Sequence, residues 1–112
     1  MAHRRHGNRL IDDFLLPALN DRTYGNELKW IDESQRLFAI YWPRISPRSH
    51  PNDRGFKIFK DWDRMKGRPA PSDTPELVKS RQRFKAALRK LRIDRVPEHR
   101  LTSTYRVFRL ND

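Results

Sequence analysis

The sequence predicts an α+β domain in which three helices pack against a four-stranded antiparallel sheet, in the order α-β-β-α-α-β-β. Three observations lead to this prediction. Apolar residues recur at helical spacing in three segments, two aromatic-rich segments are close enough to form a hairpin, and an alternating segment ends the chain. The length of 112 residues suits one domain with one modest core.

The N-terminal part of the chain combines a basic arm with a first helix. Residues 1–8 are predicted to be a flexible basic arm, and the domain is expected to occupy residues 9–112. Apolar residues within residues 10–19 follow the helical period and predict the first helix. Pro17 lies inside this segment. Because a proline removes a helical hydrogen bond, we expect the helix to be short, bent or to end early.

A hairpin and a second helix follow. Residues 28–32 and 37–42 are predicted as the first two strands, joined by turn-forming residues 33–35. A proline-containing loop leads to the second helix, which Gly67 is expected to end. Apolar and aromatic residues three apart are predicted to form its buried stripe: Phe56, Phe59, Trp62 and Met65.

The third helix, predicted at about residues 75–91, follows the proline-rich linker 68–75 and combines an apolar stripe with a basic face. Residues 72–76, S-D-T-P-E, predict its start, with a capping residue before the proline and an acid in the first turn. The stripe consists of Phe84, Ala87, Leu88 and Leu91. The basic residues at i, i+4, i+8 and i+11 are Arg81, Lys85, Arg89 and Arg92. Like charges four residues apart repel, and few acids offset them, which favours a polyanionic partner over a merely solvated helix.

Two further strands complete the predicted sheet, at residues 93–96 and 103–110, with a loop at residues 97–102 between them. This order of elements is that of a winged helix-turn-helix domain. In such a domain the third helix enters the major groove of DNA and the last loop acts as the wing.

Composition narrows the class of function. The net charge of +11 and the pI of about 10.9 indicate nucleic acid as the first partner to consider and an anionic membrane surface as the second. The absence of cysteine excludes disulfides and cysteine-based zinc sites. No apolar run approaches the length of a membrane span.

The polar residues give little support for catalysis. The pairs Asp12–Asp13 and Asp61–Asp63 are interpreted as solvated surface, because neighbours at these spacings do not face each other on a helix. The histidines are scattered. We therefore expect no enzymatic activity, no cofactor, no metal and no membrane partner.

Spaced tryptophans run through the chain: Trp30 in L-K-W-I-D, Trp42 in I-Y-W-P-R-I and Trp62 in F-K-D-W-D-R-M-K-G-R. This pattern resembles the DNA-binding domain of the interferon regulatory factors over about residues 10–110, where Trp62 matches a segment of the form F-x-x-W-A-x-x-x-G-R. The segment T-Y-R-V-F-R-L resembles the last strand, R-V-Y-R-L. Residues 83–90, R-F-K-A-A-L-R-K, align with the recognition-helix pattern N-F-R-x-A-x-N-S.

Several positions depart from the family pattern. Phe14 and Ser80 stand where tryptophans are expected, and Arg44 stands where a histidine is expected. In the recognition helix, Lys85 replaces an arginine, and Arg89 replaces an asparagine. The resemblance implies a divergent member in which phosphate affinity has grown while base reading has changed.

The resemblance and the helix pattern together give a set of expected DNA contacts. The residues expected to read bases are Lys85, Ala86, Arg89, Lys90 and Arg44. Those expected to contact the DNA backbone are Trp42, Trp62, Arg68, Arg81, Arg83, Arg92, Lys66 and Arg100. Lys57, Lys60 and Arg106 are further plausible backbone contacts, each weak alone.

Two functions remain open at this point. The first is the DNA-binding domain of a nuclear transcription regulator that acts on double-stranded DNA, alone or with a related factor or a second copy. The second is a module that kept the fold and binds nucleic acid without sequence preference, or binds a protein partner as a decoy.

Overall fold

A computed structural model of the chain describes residues 9–53, 55–91, 93–97 and 104–110. The predicted basic arm, Arg92, Arg100 and most of the predicted wing loop lie outside the described residues. The predicted order of helices and strands is confirmed, with small shifts at the ends of several elements.

The first helical segment accommodates Pro17 by changing its helix type. Residues Leu10–Leu15 form a π-helical stretch that continues directly as the α-helix α1, Leu16–Asp21. Pro17 thereby falls within the first two positions of α1, directly after Leu16, whose amide donates to the Ile11 carbonyl five residues back. The helical run therefore extends two residues past its predicted end instead of stopping at the proline.

The four strands form one antiparallel sheet in the order β1-β2-β4-β3. The strands are β1 (Leu28–Asp32), β2 (Leu37–Tyr41), β3 (Ile93–Arg95) and β4 (Tyr105–Leu110). Phe38 on the central strand β2 lies between Trp30 on β1 and Phe108 on β4, which explains why its side chain is fully buried. The predicted alternation of β4 is confirmed, since Phe108 and Leu110 join the main core and Val107 lies on the other face.

Two longer helices, α2 (Lys57–Met65) and α3 (Thr74–Arg89), cover one face of the sheet. Gly67 follows α2 with φ +79, and the amides of Gly67 and Arg68 donate to the carbonyls of Arg64 and Asp63. This left-handed closure satisfies the last carbonyls of α2 and confirms the predicted end. The prediction of Met65 as a buried residue was wrong, because the last turn of α2 leaves it 36% exposed.

The start of α3 follows the predicted capping pattern. The Asp73 carboxylate accepts from the Glu76 amide at 2.9 Å, and Glu76 Oε1 accepts from the Ser72 amide at 3.1 Å. These contacts satisfy backbone donors that a helix N-terminus leaves without partners. The helix ends at Arg89, two residues before the predicted end.

Aromatic rings hold α3 in place. Phe84 packs against Phe59 at 5.4 Å between ring centroids, against Trp42 at 6.3 Å and against Phe14 at 6.4 Å. Phe14 also packs on Trp62 at 5.6 Å and is 6% exposed, so phenylalanine fills a core position at this site as expected. With Phe84 buried, the opposite side of α3 faces outward.

Candidate nucleic-acid interface

The outward face of α3 carries the predicted base-reading residues. Phe84 and Leu88 are buried at 0% and 4% exposure, and the partly buried Ala87 packs beside them against the core. Ala86, Arg89 and Lys90 are exposed and Lys85 is half-buried. The predicted two-sided character of α3, apolar inside and basic outside, is therefore confirmed.

A first cleft lies between α3 and the strands β3 and β4. It has a volume of about 260 Å³, and its polar lining is entirely cationic: Lys85, Arg89, Arg95 and Arg106. Arg95 and Arg106 reach it because their strand positions share a face with Phe108 and Ile40, which point toward the helices. Within the part of the chain that the structure describes, no carboxylate lines this cleft.

The crowded positive charges help to lower the pKa values of Lys85 and Arg106. For Lys85, electrostatic repulsion from Arg106 and then from Arg89 contributes most to holding the pKa below its ordinary value. The pKa of Arg106 is lowered first by burial and then by Arg95, Arg81 and Arg89. Each of these shifts means that an added anion at the cleft would stabilise the charged groups.

A second cleft of about 390 Å³ adjoins the first, and Arg106 lines both. It lies beside the Trp42 ring, with the Arg106 guanidinium 4.4 Å and the Arg81 guanidinium 5.9 Å from the ring centroid. Arg81 Nη1 also donates to the Pro43 carbonyl at 2.8 Å, which fixes one side of its guanidinium. Arg44 is exposed and lines the same cleft, so this predicted site residue lies beside the basic face of α3.

The other flank of α3 borders a wider groove of about 710 Å³ toward the π-helical stretch and α2. Ala86 and Lys90 line this groove, together with Lys66, Arg68 and Arg83. The four predicted base-reading residues on α3 therefore divide into two rows, with Lys85 and Arg89 on the sheet side and Ala86 and Lys90 on the α2 side. Trp62 lies at the floor of the groove and is 3% exposed, with the Lys66 ammonium 5.4 Å from its ring centroid.

The interpretation of Asp63 as a solvated surface residue was wrong. Its side chain is 0% exposed and lies between α2 and α3, where it accepts from Ser80 Oγ at 2.6 Å. Arg83 donates to it twice, at 2.7 Å from Nη2 and 3.1 Å from Nε, and Arg68 Nε donates at 2.9 Å. Burial acts to raise the pKa of Asp63, but these hydrogen bonds outweigh it and hold the pKa below its ordinary value.

Asp61, its neighbour on α2, is also more engaged than predicted. It accepts from the Tyr24 hydroxyl at 2.7 Å, from Lys57 Nζ at 3.0 Å and from Arg64 Nη1 at 2.9 Å, and its side chain is 17% exposed. A spacing pattern could not reveal the full set of partners of either aspartate, because Tyr24 lies 37 residues from Asp61 and Arg83 lies 20 residues from Asp63. Among the described residues, no group of histidines and acids has the arrangement of a metal site, and no helix is long and apolar enough to cross a membrane.

The arrangement resembles known structures over nearly its whole length. Residues 10–111 match the family model described as interferon regulatory factor transcription factor. The crystal structure of IRF-3 bound to the interferon-b enhancer aligns with a TM-score of 0.68 and 21% identity, covering 91% of this chain and 96% of that one.

Two further IRF-3 structures align similarly. IRF-3 bound to the PRDIII-I regulatory element of the human interferon-B enhancer gives a TM-score of 0.72 and 20% identity, with 95% and 100% of the two chains covered. The free DNA-binding domain of IRF-3 gives 0.65 and 20%, with 93% and 100% covered. None of the curated protein sequences matches this chain.

Proposed function

The chain belongs to the interferon regulatory factor family of transcription factors, and we propose that it acts in the nucleus as a domain that binds double-stranded DNA. The observation that carries this proposal is the cationic cleft beside α3. Lys85 and Arg89 from the helix meet Arg95 and Arg106 from the sheet, and Arg81 lies at the adjoining second cleft. No carboxylate among the described residues lines either cleft. Repulsion within this cluster would be relieved by a row of phosphates.

In the proposed complex, α3 lies in the major groove and reads base edges from both of its outward rows. Lys85 and Arg89 have the hydrogen-bond donors that suit guanine O6 and N7, and Ala86 is small and apolar enough to contact a thymine methyl group. Lys90 lies one helical turn beyond Ala86 and extends the second row. Arg44, on the loop after β2, would enter the adjacent minor groove.

Phosphate contacts would flank this reading helix. Arg81 and Trp42 are placed at the second cleft, and Lys66 is placed at the groove on the α2 side. Trp62 is buried, so only its edge would approach a phosphate. Arg92 and Arg100 complete the proposed set from outside the described residues. Arg68 and Arg83 are left out, because Asp63 engages both.

Selection of bound duplexes from a random-sequence pool at near-physiological salt tests the proposal. We expect one motif to enrich. The double variant Lys85→Ala/Arg89→Ala should then lose discrimination of about 1–3 kcal/mol for each base-reading contact. Enrichment of no motif, with single strands bound as well as duplexes, would refute sequence-specific binding.

A matched control removes the same charges elsewhere. Lys29 and Arg109 lie on the face of the sheet opposite the helices, Lys29 above the Tyr105 ring at 4.9 Å and Arg109 paired with Leu37. The variant Lys29→Ala/Arg109→Ala therefore changes net charge equally, and it should keep the selected motif.

The all-cationic lining also favours a second candidate, which is a family member that binds DNA without reading its sequence or occupies a protein partner as a decoy. Arg89 and Lys90 add charge at positions where the family pattern has short polar residues. For this candidate, Lys85→Ala/Arg89→Ala would weaken all duplexes evenly and change only the salt dependence. A pull-down with a related factor in the absence of DNA would identify the decoy function.

A further inference from the structure

The seam between α2 and α3 contains a buried carboxylate with every acceptor position occupied. Asp63 Oδ1 accepts from the Nε groups of Arg68 and Arg83, and Oδ2 accepts from Ser80 Oγ and Arg83 Nη2. An ionised carboxylate offers about four acceptor sites, so these four hydrogen bonds saturate it. The side chain of Asp63 is 0% exposed, so water does not compete for these positions.

The two arginines are held in a specific way. Arg83 binds Asp63 through Nε and Nη2, the edge of the guanidinium that would otherwise grip a phosphate with two parallel hydrogen bonds. Arg68 has its Nε directed at the same carboxylate. Their side chains are 37% and 35% exposed, so both lie at the surface of the groove beside α3 while these three donors are directed at Asp63.

The sequence around this cluster supports a dedicated arrangement. Ser80 is fully buried on α3 and donates to Asp63 at 2.6 Å, which ties the two helices together at this point. Asp63 follows Trp62 directly, at the position where the resembling segment F-x-x-W-A-x-x-x-G-R has alanine, and Ser80 stands where the family pattern expects a tryptophan. The chain thus has polar residues at both contacting positions.

We propose that Asp63 is a positioning residue that withholds Arg68 and Arg83 from the DNA backbone and thereby limits the number of phosphates that the domain neutralises. This inference rests on the proposed function. Phosphates would then be bound mainly on the side of α3 that carries Arg81, Lys85, Arg89 and Arg106. The side that contacts Asp63 would hold α3 against α2. Removing the carboxylate would release two cations toward the duplex.

The salt dependence of binding to a labelled random duplex tests the proposal, because a purely structural residue would not change it. Each neutralised phosphate contributes a slope of about −0.9 to the plot of log affinity against log salt. Arg83→Gln should leave the wild-type slope unchanged, since Arg83 is already engaged. Asp63→Asn should make the slope steeper by about 0.9 to 1.8, which corresponds to one or two further phosphate contacts. The double variant Asp63→Asn/Arg83→Gln should show a smaller increase in slope.

Asp32→Asn is the matched control. It removes the same charge at the end of β1, where the carboxylate accepts from the Ser34 hydroxyl and the Gln35 amide, while Arg68 and Arg83 stay bound to Asp63. A loss of about 0.9 from the slope on Arg83→Gln alone would overturn the proposal. Equal slopes for folded Asp63→Asn and the wild type would overturn it too, as would an equal steepening by Asp32→Asn. Failure of the wild-type protein to bind any duplex would instead refute the proposed function, and this inference with it.

A second measurement uses the unmodified protein, in case Asp63→Asn does not fold. In ¹⁵N-edited NMR spectra, the Nε–H signals of Arg68 and Arg83 should exchange slowly with water and keep their positions when duplex is added. Signals that move on titration with DNA would show that the two arginines reach phosphates, which contradicts the proposal.

Discussion

Replacing Arg106 with methionine should weaken DNA binding while the fold is kept. Arg106 lines both clefts beside α3, and its guanidinium lies 4.4 Å from the centroid of the Trp42 ring. Methionine keeps an unbranched apolar chain against that ring but removes the charge. The lost cation–π contact lowers the stability of the fold by about 0.5–1 kcal/mol. This loss is offset because the variant no longer buries a charge and no longer repels Arg95, Arg81 and Arg89.

The expected loss of affinity follows from counterion release. If Arg106 neutralises one phosphate, its removal makes the salt slope shallower by about 0.9. This corresponds to about a fivefold loss of affinity at about 0.15 M monovalent salt and about a fifteenfold loss at about 0.05 M. The effect should be the same for different duplex sequences, because a phosphate contact carries no base information.

Fluorescence anisotropy across a salt series measures this slope, and thermal unfolding checks that the variant is folded. Arg109→Met is the matched control, since Arg109 is on the same strand but on the face of the sheet away from α3. A shallower slope for Arg106→Met and an unchanged slope for Arg109→Met are expected. Equal slopes for both variants and the wild type would refute the assignment of Arg106 to the interface.

Three further variants have outcomes that the structure predicts. The lowered pKa of Asp63 stabilises the fold above the ordinary carboxyl pKa of about 3.9, and this stabilisation is lost as pH falls through the lowered value. Asp63→Asn should therefore flatten the acid side of a stability–pH curve measured by urea unfolding. Its cost near neutral pH should be about 3 kcal/mol, at the low end for a broken buried ion pair because both arginines are about one-third exposed. Gly55→Ala should lower the free energy of unfolding by about 2 kcal/mol or more, because Gly55 has φ +97 and an added Cβ would lie 2.5 Å from Tyr41 Cε2. An unchanged denaturation midpoint would contradict this prediction. Lys85→Gln should raise the melting temperature at low salt, because the substitution removes repulsion from Arg106 and Arg89. Salt screens this repulsion, so the difference from the wild type should fade at high salt. A difference that persists at high salt would indicate a change in packing instead.

Much of the fold follows from local patterns in the chain. The capping residues before α3 and the glycine after α2 predicted those helix ends, because each satisfies backbone groups within a few residues. The stripe with Phe84 and Leu88 predicted which side of α3 is buried, and both residues are in the core. Pro17 was harder, because a change from π-helical to α-helical geometry is not encoded in a 3.6-residue period.

The candidate interface was predicted in part. The basic face of α3 followed from its spacing, but the position of Arg106 and Arg95 beside Lys85 depends on the pairing of β3 with β4. Such pairing brings together residues far apart in the chain, and no local pattern specifies it. Asp63 illustrates the same limit, since its burial depends on Arg83, twenty positions away.

The edges of the sheet affect how copies of this domain would behave along a duplex. The outer strands are β1, which has an irregular register between Trp30 and Asp32, and β3, which spans three residues and has Asp94 and Arg95 exposed. Bulges and short charged edges are poor templates for another strand. Neighbouring copies bound to one duplex would therefore not merge into a continuous sheet, and any contact between them would be made by side chains instead of strand pairing.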